Sequence, residues 1–273
     1  YISKTVALRG GYTVTNWSRS NPVAYPTTLD AERRGRVIYV AGDVTPTIEG
    51  FWITRGDADG LGGGPWAAVN GGGGLYVDGG ETKLRSCQVI SNEAGYGAGF
   101  YVREGRLEIT GGALRDNDAS ELGGGGYFED GSGALLGTEV YTNRAKEGGG
   151  IFGIYTDLVV VTSEFAHNRA DGRGGALYFR QSAGQLSHNR VSSNSAEWGG
   201  GAYFYRSDVT LVSSLVASNT ARYGGGLGLV DGDIRLMDNE ITSNEVLDED
   251  GGYGGGIYLS SSELTMSGNR IEE

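Results

Sequence analysis

The chain has 273 residues, with 34 acidic against 22 basic side chains and a formal net charge of −12. That balance argues against nucleic acid or an anionic membrane surface as a partner. The single cysteine, Cys87, excludes an intrachain disulfide, and no transmembrane segment is expected because no run reaches the roughly 18 apolar residues a membrane helix needs.

From the first residue, Thr5-Val6-Ala7-Leu8-Arg9-Gly10-Gly11-Tyr12 reads as the start of an early coil, followed by a long excursion from Thr13 to Arg34 that carries Pro22 and Pro26. Ile38-Tyr39-Val40 is a short alternating strand. Ile48, Phe51, Ile53 and Gly56 then fall on columns that recur later, before a second excursion from Gly60 to Asn70. Residues 1–70 are therefore expected as irregular coils, and 71–273 as a regular array continuous with them.

Seven asparagines, Asn92, Asn117, Asn143, Asn168, Asn194, Asn219 and Asn244, recur 25 or 26 residues apart. A fixed period of this size marks a solenoid, in which each unit buries its apolar face against its neighbours. Three positions before each Asn stand Val89, Leu114, Val140, Phe165, Val191, Val216 and Ile241, and eight before stand Leu84, Ile109, Leu135, Val160, Leu186, Leu211 and Leu236. These columns are core. Small residues such as Ala119, Ala145 and Ala170 follow two positions after the Asn, and glycine clusters such as Gly97/Gly99, Gly148 to Gly150 and Gly199 to Gly201 come next. Glycine permits positive φ and close backbone approach, so its recurrence predicts one tight corner at every level.

After the glycines, segments such as Leu75-Tyr76-Val77 alternate with period two, apolar residues inward and the central ring outward. Helical periodicity is absent. An all-β parallel β-helix follows, with about 25 residues per coil and roughly nine to ten coils. Inward asparagines one coil apart, roughly 4.8 Å, can satisfy one another's donors and acceptors, so the Asn column is read as a structural ladder. Cys87 shares a column with Ser163, Asn189 and Asn239, which reads as a small buried thiol.

The corner Gly174-Gly175-Ala176-Leu177 and the segment Phe165-Ala166-His167-Asn168 resemble the polymorphic outer membrane protein repeats of surface-exposed bacterial passenger domains. The N-terminal stretch Leu8-Arg9-Gly10-Gly11-Tyr12 with Asn21-Pro22 and Pro26-Thr27-Thr28-Leu29-Asp30-Ala31 is similar to secreted right-handed β-helix proteins of environmental bacteria. The resemblance implies a right-handed parallel β-helix, export to the cell surface or medium, and an adhesive or structural role.

Candidate binding residues lie in two columns. The outward aromatics Tyr39, Tyr76, Tyr101, Tyr127, Phe152, Tyr178, Tyr203 and Tyr258, broken by Gly228, form a stripe that either stacks on sugars or on a neighbouring rod, or whose rings stabilise one another. Tyr96, Trp198, Tyr223 and Tyr253 sit in the loop before the glycines and form a second edge, open to partners or closed by corner packing. For calcium, Asp57 and Asp59, and Asp248 and Asp250, are the candidate turn ligands, though no EF-hand or Gly-Gly-x-Gly-x-Asp repeat is present. No cofactor is expected otherwise. His167 and His188 fall in different columns and suggest no transition-metal site. Glu139 and Glu164, one coil apart, are the best acid/base pair available to a polysaccharide lyase or glycoside hydrolase.

The reading favoured by the sequence is a secreted or cell-surface structural or adhesive protein, not an enzyme. Its faces and loops would contact glycans, cell-surface components or copies of itself. The last coil stops after Asn269-Arg270-Ile271, which suggests an excised piece whose coil ends continue into more chain or stack end to end as a filament.

Overall fold

The computed structural model describes residues 1–64, 70–247 and 251–272. Each coil runs through three parallel sheets in turn. Sheet A has nine strands, from Ile38–Ala41 to Ile257–Ser260. Sheet B has ten, from Ala7–Arg9 to Glu263–Ser267, and sheet C has ten, from Thr27–Asp30 to Arg270–Glu272. Equivalent residues pair directly, for example Leu75 with Phe100 and Leu84 with Ile109, so a shift of about 25 residues equals one rung. The result is a parallel β-solenoid of about nine turns.

The coils before residue 70 join the same sheets: Ile38 pairs with Leu75, Thr47 with Lys83 and Trp52 with Gln88. The early excursion is shorter than the sequence suggests, because Thr27–Asp30 inside it is a sheet C strand paired with Phe51–Thr54. Asp and Thr there mask the alternation, since Thr28 and Asp30 face solvent while Leu29 packs against the core. The second excursion lies partly outside the described residues, as does the stretch Leu247 to Gly252, a short insertion against the 25-residue period, of which 248–250 are not described.

One contiguous core, from Ile38 to Ile241, is lined by the inward residues of all three sheets. Size is matched between rungs: a Cβ on Gly126 would lie 2.1 Å from the Phe100 ring, and one on Gly184 would lie 2.7 Å from that of Phe179. Glycine inside a strand here makes room for the phenylalanine beside it. At the glycine corner the reason differs. Gly97 sits at φ 56°, and a Cβ on it would lie 2.1 Å from Phe100 O, so only glycine fits.

The Asn ladder is built as the spacing implies. Asn168 Nδ2 donates to Asn194 Oδ1 at 3.0 Å and to Val140 O at 2.8 Å, while its Oδ1 accepts from both the backbone N–H and Nδ2 of Asn143. Where the column begins with Gly56, the backbone N–H of that glycine donates to Asn92 Oδ1 instead. A second ladder stands at the corner between sheets B and C. There Thr138, Ser163, Asn189, Ser214 and Asn239 each offer a backbone N–H to the side-chain oxygen of the next rung. Cys87 opens this column, its Sγ donating to Ile48 O. A third, shorter ladder links Thr156, Ser182 and Ser207 between sheets A and B.

Each ladder residue follows one in the left-handed region: Ser91 at φ 55°, Thr142 at 55°, His167 at 56° and Ser193 at 57° before asparagines, His188 at 56° before Asn189. A non-glycine residue held there costs on the order of 1–3 kcal/mol. The hydrogen bonds of the inward amide beside it offset that strain.

Candidate functional site

The outward ring column is not an open stripe. Tyr76, Tyr101, Tyr127, Phe152, Tyr178 and Tyr203 are each at most 5% exposed and form a second apolar cluster on the outer side of sheet A. Centroids of Tyr76, Tyr101, Tyr127 and Phe152 step by 5.2, 4.9 and 5.1 Å with planes within 4° of parallel, so each inner face is taken by the next ring. Only the end positions Tyr39 and Tyr258 are half-buried. Of the two readings the sequence leaves open, the rings pack on one another, and the alternative of a sugar-stacking or rod-stacking stripe is corrected for the buried Tyr76, Tyr101, Tyr127, Tyr178 and Tyr203. Outward in the pleat does not mean exposed here, because the chain folds back over sheet A just before each glycine corner.

Polar atoms are enclosed with those rings. Burial pushes the Tyr76 hydroxyl up to about 12 and raises Tyr101, Tyr127 and Tyr178 further. The Tyr101 hydroxyl donates to Glu129, whose carboxyl burial holds above the usual range. Asp78 accepts from Arg103 at 2.9 Å and from the Tyr39 hydroxyl at 3.3 Å. Arg36 lies 4.8 Å over the Tyr76 ring and donates to Gly71 O and Gly62 O, tying the loop before residue 70 to the column.

The pre-glycine column supplies that cover, and its four aromatics divide. Tyr96 is 7% exposed, lies at the end of a short strand paired with Asp118–Leu122, and packs edge-on to Tyr127 at 5.8 Å. It belongs to the corner packing. Trp198, Tyr223 and Tyr253 instead stack on one another at 4.0 and 6.0 Å, with Tyr253 62% exposed. Gly228 explains the change. A Cβ there would lie 2.6 Å from the Tyr203 ring, and its bareness lets Trp198 and Tyr223 reach Tyr258 at 5.5 and 5.9 Å. Stacked on both sides, Tyr223 offers mainly an edge, while Tyr253 is the exposed member of the stack.

Glu139 and Glu164 are direct neighbours in sheet C, as the period requires. Both are exposed, and Glu164 lies 3.5 Å from Arg190 on the next rung. The face is laced by such inter-coil pairs, Arg270 with Glu240 among them at 3.5 Å.

Asp57 and Asp59 line an open depression of about 420 Å³ with Glu93 and Asp118. Their carboxylates are used locally: Asp57 Oδ1 accepts from the Asp59 N–H, and Asp59 Oδ1 accepts from Asn70 Nδ2. Among the described residues no three His, Cys, Asp or Glu side chains are grouped to hold a metal ion. Asp248 and Asp250 lie outside the described residues. His167 and His188 occupy corner positions in separate columns.

Sequence reasoning missed a furrow on the outer face of sheet B, where Ala183 separates Asp157 from Asp208 on successive strands. The signal was present in the small outward residues Ala183 and Ser187, in a strand whose neighbours carry larger ones at those levels.

Comparison with known proteins adds one finding. The family model described as the right-handed beta helix region matches residues 37–212 and again 147–273. No curated protein matches the chain, and no solved structure does. With most of its length matched by that model and a parallel three-sheet solenoid beneath it, the chain belongs to the right-handed β-helix family.

Proposed function

We propose that this β-helix is an extracellular or cell-surface protein with a structural or adhesive role, contacting glycans, other surface components or copies of itself through its lateral faces. The observation that carries the reading is the form of those faces. About nine in-register turns extend the same exposed columns along the rod, and ion pairs such as Glu121 with Lys146 and Glu147 with Arg173, each 2.6 Å, tie one coil to the next. Solenoids use such surfaces for extended contact. The Gly-Gly-Ala-Leu and Phe-x-x-Asn motifs support placement outside the cell. The test is binding of the labelled full chain to intact cells and immobilised polysaccharides, with cell fractionation to locate the native protein. A purely cytosolic location, or no retention on any surface, would sink it.

A polysaccharide-cleaving reading rests on Glu139 and Glu164, whose backbones stand one rung apart, about 5 Å, in the range that retaining glycosidases use for their carboxyl groups. Release of reducing ends that disappears in both Glu139→Gln and Glu164→Gln would establish it. Their open, flat setting and the pairing of Glu164 with Arg190 favour the non-catalytic reading.

A further inference from the structure

On sheet B the strand Ala183–Ser187 lies between Asp157–Val161 and Asp208–Val212. Its outward residues are Ala183, Gln185 and Ser187, while the flanking strands carry Asp157, Val159, Val161 and Asp208, Thr210, Val212 at the same levels. At Ala183 and Ser187 the middle strand is lower than both neighbours, and the Gln185 side chain stands between these two dips. Three depressions of about 340, 310 and 240 Å³ lie along it in order, the first two sharing Asp157, Ala183 and Asp208, the last two sharing Val159, Gln185 and Thr210. They adjoin over about 20 Å, from Tyr155 at the corner to Val161, at roughly 3.3 Å per residue, with Gln185 standing between the second and the third.

The chemistry of the walls selects an occupant. Arg206 and Arg235 border the trough, but each is engaged, Arg206 with Asp231 at 3.5 Å and Arg235 with Asp233 at 2.9 Å. Asp157 and Asp208 have no ion-pair partner among the described residues, so the trough carries uncompensated negative charge. An anionic chain is disfavoured there. Their carboxylates accept hydrogen bonds, Gln185 and Gln181 can both donate and accept, Tyr155 and Thr210 add hydroxyls, and Val159, Val161 and Val212 supply apolar strips. That mixture suits a polyhydroxylated chain with C–H faces and hydroxyl edges. A peptide would find no strand edge to extend, since Ala183–Ser187 is hydrogen-bonded on both sides.

From this geometry we infer that the Ala183–Ser187 furrow is a binding site for a neutral oligosaccharide chain. The inference deepens the surface-contact reading and rests on it for its biological setting.

The test is isothermal titration of the full chain with cellohexaose, xylohexaose and mannohexaose, and with hexagalacturonate and hexalysine as charged probes. At least one neutral hexasaccharide should bind. Ala183→Trp, which fills the furrow from an exposed position, should weaken it at least about tenfold, as should Asp208→Asn with Gln185→Ala. Thermal unfolding of each variant, unchanged from the parent, keeps misfolding apart from lost binding. Preference for hexagalacturonate, binding of hexalysine alone, no binding in the neutral set, or full binding by Ala183→Trp would each overturn the site. Surface retention measured in parallel separates the two ideas. A parent that binds hexasaccharide but no cell surface keeps the furrow and rejects the surface role, whereas a parent that is retained on cell surfaces but binds no neutral hexasaccharide does the reverse.

Discussion

Replacing Asn168 by Ala removes an amide that makes four hydrogen bonds near the middle of the ladder. Asn194 Oδ1 keeps a partner, because the backbone N–H of residue 168 still donates to it at 2.9 Å. Two buried donors on Asn143, its backbone N–H and one Nδ2 hydrogen, lose their acceptor. At about 1–3 kcal/mol for each buried group left unsatisfied, the loss comes to roughly 2–6 kcal/mol, with a small cavity adding to it. Asn244, which makes three such bonds, is 8% exposed against 1% for Asn168, so water reaches the donors left behind more readily and the same change there should cost less. Asn168→Asp should exceed Asn168→Ala at neutral pH, since the carboxylate cannot donate to Asn194 and is charged in the core. Burial raises the pKa of such a carboxyl in the folded state, so the extra penalty is small below the ordinary value near 4 and grows as pH rises above it. Equilibrium urea unfolding followed by far-ultraviolet circular dichroism at pH 4 and pH 7 measures all three variants. Hydrogen exchange shows whether the loss is confined to neighbouring coils, as nearest-neighbour coupling in a solenoid demands. A cost below about 0.5 kcal/mol for Asn168→Ala, or no pH dependence for Asn168→Asp, would refute the ladder as a stabilising device.

Other outcomes follow from the same packing. Gly126→Ala places a methyl 2.1 Å from the Phe100 ring and should destabilise by about 1–3 kcal/mol or more, with Phe100→Leu in the same chain recovering part of it; equal stability of single and double variants would contradict the size-matching. The sealed tyrosine column should unfold in alkali. A raised folded pKa means stability that is whole below the unfolded value near 10 and lost as pH climbs through the folded one. For Tyr76 this window runs from about pH 10 to about 12 and is worth roughly 2–3 kcal/mol, about half of which should appear as a fall in urea midpoint between pH 9 and pH 11. Burial raises the Cys87 thiol, so a disulfide reagent should label it only as fast as the protein opens, with a rate that climbs with urea; rapid labelling in native buffer would place the thiol at the surface.

Much of the fold was legible because a solenoid writes its geometry into its period. The 25- or 26-residue spacing of the asparagines, the apolar columns three and eight positions before them and the phased glycines each have one consistent placement in a stacked coil, and the structure places them so. The second ladder was half legible, through the shared column of Cys87, Ser163, Asn189 and Asn239. The left-handed corner residues were not read, though a polar residue such as Ser193 or His167 directly before each asparagine was the available sign.

Alternation in a strand tells only which side of a sheet a side chain leaves, so Tyr76, Tyr101 and Tyr127 could be assigned outward but not exposed. Whether they meet water depends on where the segment before each glycine lies, and the strained corners and inter-coil contacts that place it join residues about 25 apart. The furrow over Ala183 has the same origin: depth is a difference between neighbouring strands, a quantity defined only after they are stacked. The sequence by itself determined the repeat, the register and the inside of this protein, since those follow from periodicity and burial. Only the tertiary structure decided its outside, because exposure is set by what the chain lays over each face.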